Sequence, residues 1–154
     1  MIITVAASTI ASGSTYPGVT RTDAGTTQND RCGLYLRQNK VEAGGRRLDA
    51  NSYQFVQSGT TSNDVFTVAS GWWDFANAQL TAYQNGTATS RSGGFQTSGN
   101  SSDTAGIIDI GGDQNLVLPL RGDVGLVLYL QSSSTTLRRR LEHAAAFSFK
   151  IPCS

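Results

Sequence analysis

The side chains with reactive chemistry to offer are few and scattered. The chain has two glutamates, Glu42 and Glu142, and one histidine, His143. Cleavage of a glycosidic bond by a retaining enzyme needs a proton donor and a nucleophile about 5–5.5 Å apart. Glu42 sits beside a predicted turn and Glu142 in a predicted basic helix, so that pair cannot be drawn. No Ser/His/Asp triad can be argued around His143, which reads as a solvated helix residue. No catalytic residue is assigned, and the expected mode of action is binding.

Binding chemistry is better supplied. Trp72, Trp73, Tyr53 and Tyr16 offer rings that could stack on sugar faces, with Asn, Asp and Arg to reach hydroxyls. In a strand the adjacent Trp72 and Trp73 face opposite ways, one into the core and one out; the alternative is that packing covers both. Asp103, Asp109 and Asp113 fall within eleven residues and could anchor a calcium ion, which takes about six to eight oxygen ligands. Aspartates also cap turns without any ion, and no other cofactor is implied.

Cys32 and Cys153 could close a disulfide, stay as buried thiols or pair between molecules. They have neither the CxxC spacing nor the histidine partners of a zinc site. The run Arg138-Arg139-Arg140 is either the solvated face of a helix or a contact for an acidic partner. Arg121-Gly122-Asp123 spells the integrin-binding tripeptide, but it leads straight into an apolar run and reads as the start of a strand. Asn85-Gly86-Thr87 and Asn100-Ser101-Ser102 match the glycosylation pattern and read as turn residues.

The elements that must position these groups are strands. Residues 2–7 alternate or run apolar, and a polar loop is expected from there through Asp30. Further strands are predicted at 31–37, 41–43, 53–56 and 65–69, with a strand or turn opening at Trp72-Trp73-Asp74-Phe75. Gln79 to Gln84 lead into Asn85-Gly86, a pair suited to a two-residue hairpin because both central positions need positive φ. After a Gly/Ser-rich loop from Gly93 to Asp103, strands follow at 107–110 and 123–130. Only one segment looks helical: Ser132-Ser133-Ser134 supply caps, and Leu137, Leu141, Ala144 and Ala145 recur at helical spacing. Phe147-Ser148-Phe149-Lys150-Ile151 alternates again, as a last strand or an extended tail.

The totals fit an all-β, turn-rich chain of one domain spanning 1–154. Gly, Ser, Thr and Asn are abundant, and helix formers are scarce. A net charge of +1 gives no electrostatic case for nucleic acid or a membrane surface. No apolar run is long enough to span a bilayer, and Met1 to Ala7 lack the basic start and apolar core of a signal peptide. Synthesis in the cytoplasm is the corresponding expectation.

In their order, several of these segments resemble the concanavalin A-like lectin/glucanase superfamily, in its laminin-G-like branch from bacteria and phage. They are the Tyr83, Asn85, Gly86 hairpin, the Ile110-Gly111-Gly112 strand end, and Gly122-Asp123 leading to Tyr129. The helix with Leu137 and Arg138 to Leu141, the Gly33-Leu34-Tyr35-Leu36 strand and Trp73-Asp74 before the hairpin complete the likeness, over roughly residues 3–151. The resemblance implies a two-sheet antiparallel jelly-roll sandwich with one short C-terminal helix. Hydrolytic members carry two Glu and an Asp alternating on one strand, and this chain has no such strand.

Members also usually carry a strand before the one matched by Ile3 to Ala7. Its lack would leave Ile2, Ile3 and Val5 at a sheet edge, to be completed by another subunit or protein. The function implied is a phage virion surface protein, a capsid decoration or fibre module that forms homo-oligomers or docks on other virion proteins and touches host glycans. The alternative is a carbohydrate-binding module of a secreted bacterial protein, acting outside the cell.

Overall fold

The structure, a computed structural model, describes residues 1–8, 18–23, 31–37, 39–48, 51–62, 64–92, 107–111 and 122–154. In chain order the elements are β1 (Ile2–Ser8), β2 (Gly18–Asp23), β3 (Cys32–Arg37), β4 (Lys40–Gly45) and β5 (Gln54–Ser58). They continue as β6 (Thr67–Asp74), β7 (Gln79–Gln84), β8 (Thr87–Ser92), β9 (Ile107–Ile110), β10 (Gly122–Tyr129) and α1 (Thr135–Ser148). The strands form two antiparallel five-stranded sheets: sheet A in the order β10-β1-β6-β7-β8 and sheet B in the order β5-β4-β3-β2-β9. The expected two-sheet sandwich with a short C-terminal helix is the observed architecture.

Strand periodicity builds three layers. On β1, Ile2 and Ala6 face sheet B and join Leu34, Leu36, Val41, Ala43, Val56, Ala69, Trp73, Leu80 and Ala82 between the sheets. Ile3 and Val5 face the other way and pack with Val68, Ala145 and Ala146 beneath α1. A strand buried on both faces reads as a continuous β-branched run, which is what Ile2-Ile3-Thr4-Val5 is.

The edge position expected for this strand is wrong. Antiparallel ladders to β10 and to β6 flank β1 on both sides, so it lies inside sheet A. Ile2, Ile3 and Val5 are at most 1% exposed and cannot offer an assembly surface. The strand expected from another molecule is supplied by this chain itself, as β10.

Three other local expectations are corrected. β2 falls within a stretch read as loop, since Gly-Val-Thr-Arg-Thr-Asp has almost no apolar signal; pairing with β3 and β9 on either side makes it a strand. The run expected at 65–69, from Thr67 on, and the one opening at Trp72 are a single strand, β6, continuous through Gly71. Phe147 and Ser148 are not a strand or extended tail but close α1.

Gly71 is what lets the strand continue there. A Cβ at that position would come 2.2 Å from the Trp73 ring and 3.1 Å from Ala43 Cβ. The Trp73 indole N–H donates to the Gly44 carbonyl of β4 at 2.8 Å, tying sheet A to sheet B through the core. The expected Asn-Gly hairpin joins β7 to β8, with φ of 48° at Asn85 and 86° at Gly86.

Candidate functional site

The outer face of sheet B carries the site. On β3, Leu34 and Leu36 point into the core, so Tyr35 between them points out. On β4 the same rule sends Val41 and Ala43 inward and Glu42 outward. On β5, Val56 is inward and Phe55 and Gln57 are outward. Register then aligns Tyr35, Glu42 and Gln57 in one row across three strands. The neighbouring row is Gly33, Gly44 and Phe55.

The two glycines form a floor. A Cβ on Gly33 would lie 2.4 Å from the Tyr35 hydroxyl, and one on Gly44 would lie 2.0 Å from the Tyr53 hydroxyl. Both rings therefore lie down over glycine backbone, with their hydroxyls brought toward the middle of the sheet. The Tyr53 hydroxyl donates to Glu42 Oε1 at 3.4 Å, and Gln57 Nε2 donates to Glu42 Oε2 at 2.9 Å. A carboxylate as buried as Glu42, 1% exposed, needs such partners, because an unpaired buried charge is strongly unfavourable. Tyr53 stacks on Phe55 with centroids 6.4 Å apart and planes 29° apart, and Phe55 is 40% exposed. The result is a partly exposed aromatic pair, Tyr53 and Phe55, held from beneath by Glu42, with the Tyr35 ring buried beside it.

The residues singled out in the sequence separate widely. Tyr53 lies in this cluster. Trp73 is the core tryptophan, and Trp72 projects on the helix side of sheet A, half-buried in a cleft with Gln131, Ser132 and Ser133. Tyr16, Asp103 and Asp113 lie outside the described residues, and of Asp109 only the backbone on β9 is described. Cys32 and Cys153 are not joined in a disulfide and pack in different apolar layers, Cys32 between the sheets and Cys153 under the helix. His143 is exposed on α1.

The basic helix face is not uniformly solvated. Arg139 and Arg140 are exposed, whereas Arg138 is buried and paired with Glu142. Of the face expected to pack, Leu141 and Ala145 do so, with Ala146, whereas Leu137 and Ala144 are exposed and Arg138 and Glu142 are buried in their stead.

Sequence reasoning passed over Tyr35, Gln57, Phe55 and the two glycines. The usable signal was the alternation in Leu34-Tyr35-Leu36 and Val41-Glu42-Ala43, which puts Tyr35 and Glu42 on one face once the two runs are paired as a hairpin.

No family model matches the chain, and no curated protein does. Among solved structures it is similar to the CBM40 carbohydrate-binding module of the IT-sialidase of Ruminococcus gnavus, solved bound to alpha2,3 sialyllactose. The match has a TM-score of 0.67 at 15% identity and covers 93% of this chain and 80% of that one. It is a likeness of fold. Both are antiparallel β-sandwiches of jelly-roll type, compatible with a concanavalin-like fold.

Proposed function

We propose that the chain is a non-catalytic carbohydrate-binding module whose site is the outer face of sheet B. The observation that carries this is Tyr53, laid flat over Gly44, hydrogen-bonded to Glu42 and stacked on exposed Phe55. A rigid aromatic surface beside fixed polar groups is the arrangement that takes the C–H face of a sugar ring and orients its hydroxyls. Glu42 is covered and already bonded to Tyr53 and Gln57, so it serves as a positioning residue, while Tyr53 and Phe55 make the contact. The module character of the similar sialidase domain supports the same reading. Docking on a virion lattice was motivated by an open edge at Ile3, and β10 and β6 close that edge.

The test is binding to immobilised glycans, sialylated and neutral, by the intact chain and by Tyr53→Ala and Phe55→Ala. The expected result is binding to at least one glycan and a loss of about tenfold or more in each variant. The melting temperature should be unchanged in Phe55→Ala and lowered in Tyr53→Ala, which deprives buried Glu42 of a hydrogen bond. Absence of binding across the set, or binding indifferent to both substitutions, would overturn the assignment.

A further inference from the structure

A second cleft lies at the end of sheet A, and its link to the sheet B site is Trp73, which also lines it and donates to the Gly44 carbonyl. It forms where the end of β6, the turn into β7 and the segment joining β10 to α1 meet, with a volume of about 710 Å³. Trp72 and Phe75, both half-buried, provide its aromatic wall. Asp74, Asn77, Gln131 and Ser132 provide its polar groups.

Several of these groups are already fixed. Asn77 donates to Asp74 twice, from its backbone N–H to Oδ1 at 3.1 Å and from Nδ2 to Oδ2 at 2.8 Å, which holds the carboxamide at the rim. Ser132 Oγ accepts from the Ser134 N–H at 3.1 Å, just ahead of the helix. Trp72 contrasts with its neighbour. The Trp73 indole N–H is bonded inside the core to Gly44, whereas the Trp72 indole makes no hydrogen bond among the described residues and keeps both a ring face and a donor for a ligand.

We propose that this cleft is a second binding site, for a neutral saccharide. A half-buried indole with carboxamides and hydroxyls around it offers stacking plus donors and acceptors for sugar hydroxyls. Among the described residues its walls carry two opposite charges, the Asp74 carboxylate and the Met1 ammonium, the latter already donating to the Leu130 carbonyl at 2.9 Å, so the cleft offers little net charge and suits an uncharged sugar. The proposal stands independently of the sheet B site. With both sites occupied, one chain bridges two glycans, one on the outer face of sheet B and one at the end of sheet A.

The experiment is an indole N–H titration by NMR on ¹⁵N-labelled protein. The two tryptophans give separate indole signals, and Trp72→Phe assigns them. Lactose, cellotetraose and maltotetraose are the probes, each added to millimolar concentration. The expected result is a saturable movement of the Trp72 signal with at least one probe, larger than that of Trp73, whose indole N–H is held in the core by Gly44 although its ring also lines the cleft. Asn77→Ala, an exposed turn substitution, should weaken that response by about tenfold, and Tyr53→Ala should leave it intact. Failure of all three sugars to move the Trp72 signal would overturn the proposal. So would a Trp72 response that disappears in Tyr53→Ala, because that would trace the effect to sheet B. If the sheet B site fails its own test and the Trp72 response persists, the cleft stands alone.

Discussion

Arg138 and Glu142, one turn apart on α1, form an ion pair that faces sheet A, with 4% and 1% of their surfaces exposed. Glu142 also accepts from the Ser70 hydroxyl on β6, and the Arg138 guanidinium lies 3.7 Å from the centroid of the Tyr83 ring on β7. The helix is thus held on the sheet by a polar network set beside an apolar patch of Ile3, Val5 and Val68. In the order Arg then Glu the pair does little for an isolated helix, so its worth lies in docking.

Removing one partner leaves the other charge buried. Arg138→Ala or Glu142→Ala is expected to cost about 3–5 kcal/mol in urea unfolding. Arg138→Met with Glu142→Leu should cost far less than the sum of the two, since it removes both charges and also the buried Arg138 Nε, which has no hydrogen-bond partner. Additive single and double costs would show that the two side chains do not act as a pair.

The same network reaches Cys153. Burial, and after it the Glu142 carboxylate, push the Cys153 thiol up from its ordinary pKa, and Arg138 pulls it the other way. With its folded pKa above the unfolded one, the thiol's contribution to stability is full below the unfolded pKa. It is lost as pH rises from there through the folded pKa. In a Cys32→Ser background, alkylation by iodoacetamide at mildly alkaline pH should therefore be slower for the folded chain than for the chain in urea. Glu142→Gln should speed the folded reaction. Equal rates in folded and unfolded protein would remove burial as the cause.

Two glycine substitutions separate fold from site. Gly71→Ala drives a Cβ against Trp73, which is buried and anchored to Gly44, and the overpacking should cost about 1–3 kcal/mol. Gly44→Ala meets Tyr53 instead, a half-buried ring that can swing outward. Its stability should fall by no more than the hydrogen bond from Tyr53 to Glu42 contributes, about 1 kcal/mol, while the affinity for any glycan held on Tyr53 and Phe55 falls. Thermal melts and glycan binding measured on both variants check the contrast; a Gly44→Ala chain that binds normally would show that the flat seating of Tyr53 is not needed.

What could be read from the sequence was local, and what could not was a matter of neighbours. Asn85-Gly86 announced its hairpin because two successive positive φ values leave few residue choices. Ser134 announced the helix start because capping is a contact over three residues. β1 was legible as a strand, but its neighbours were not, because β10 reaches it from more than a hundred residues away. The helix face was misjudged because charged residues are ordinarily solvated, and here Arg138 and Glu142 turn inward while Phe147 is left 86% exposed. Of the sheet B site, only Tyr53 was named in advance. Glu42 was weighed as an acid for hydrolysis, and its actual partners, Tyr53 and Gln57, depend on a register that composition does not encode.

The two ends of α1 carry opposite opportunities. At the start, the Ser134 hydroxyl accepts from the Leu137 N–H at 3.1 Å, so Ser134→Ala should cost about 1 kcal/mol. At the end, Lys150 occupies the left-handed position with φ of 55°, while the Ile151 N–H bonds the Ala146 carbonyl at 2.8 Å and the Lys150 N–H bonds the Phe147 carbonyl at 3.2 Å. That is the Schellman arrangement, in which the left-handed residue is usually glycine because a Cβ is disfavoured there. Lys150→Gly should therefore hold or raise stability, by up to about 1 kcal/mol, even though glycine destabilises most other helix positions. The exposed Lys150 side chain makes no ion pair among the described residues that the change would sacrifice. Paired urea titrations of the two variants should move the midpoint in opposite directions. A loss of stability in Lys150→Gly would mean that the lysine side chain supports the tail from Ile151 to Ser154, whose last N–H bonds the Asn85 carbonyl at 2.9 Å.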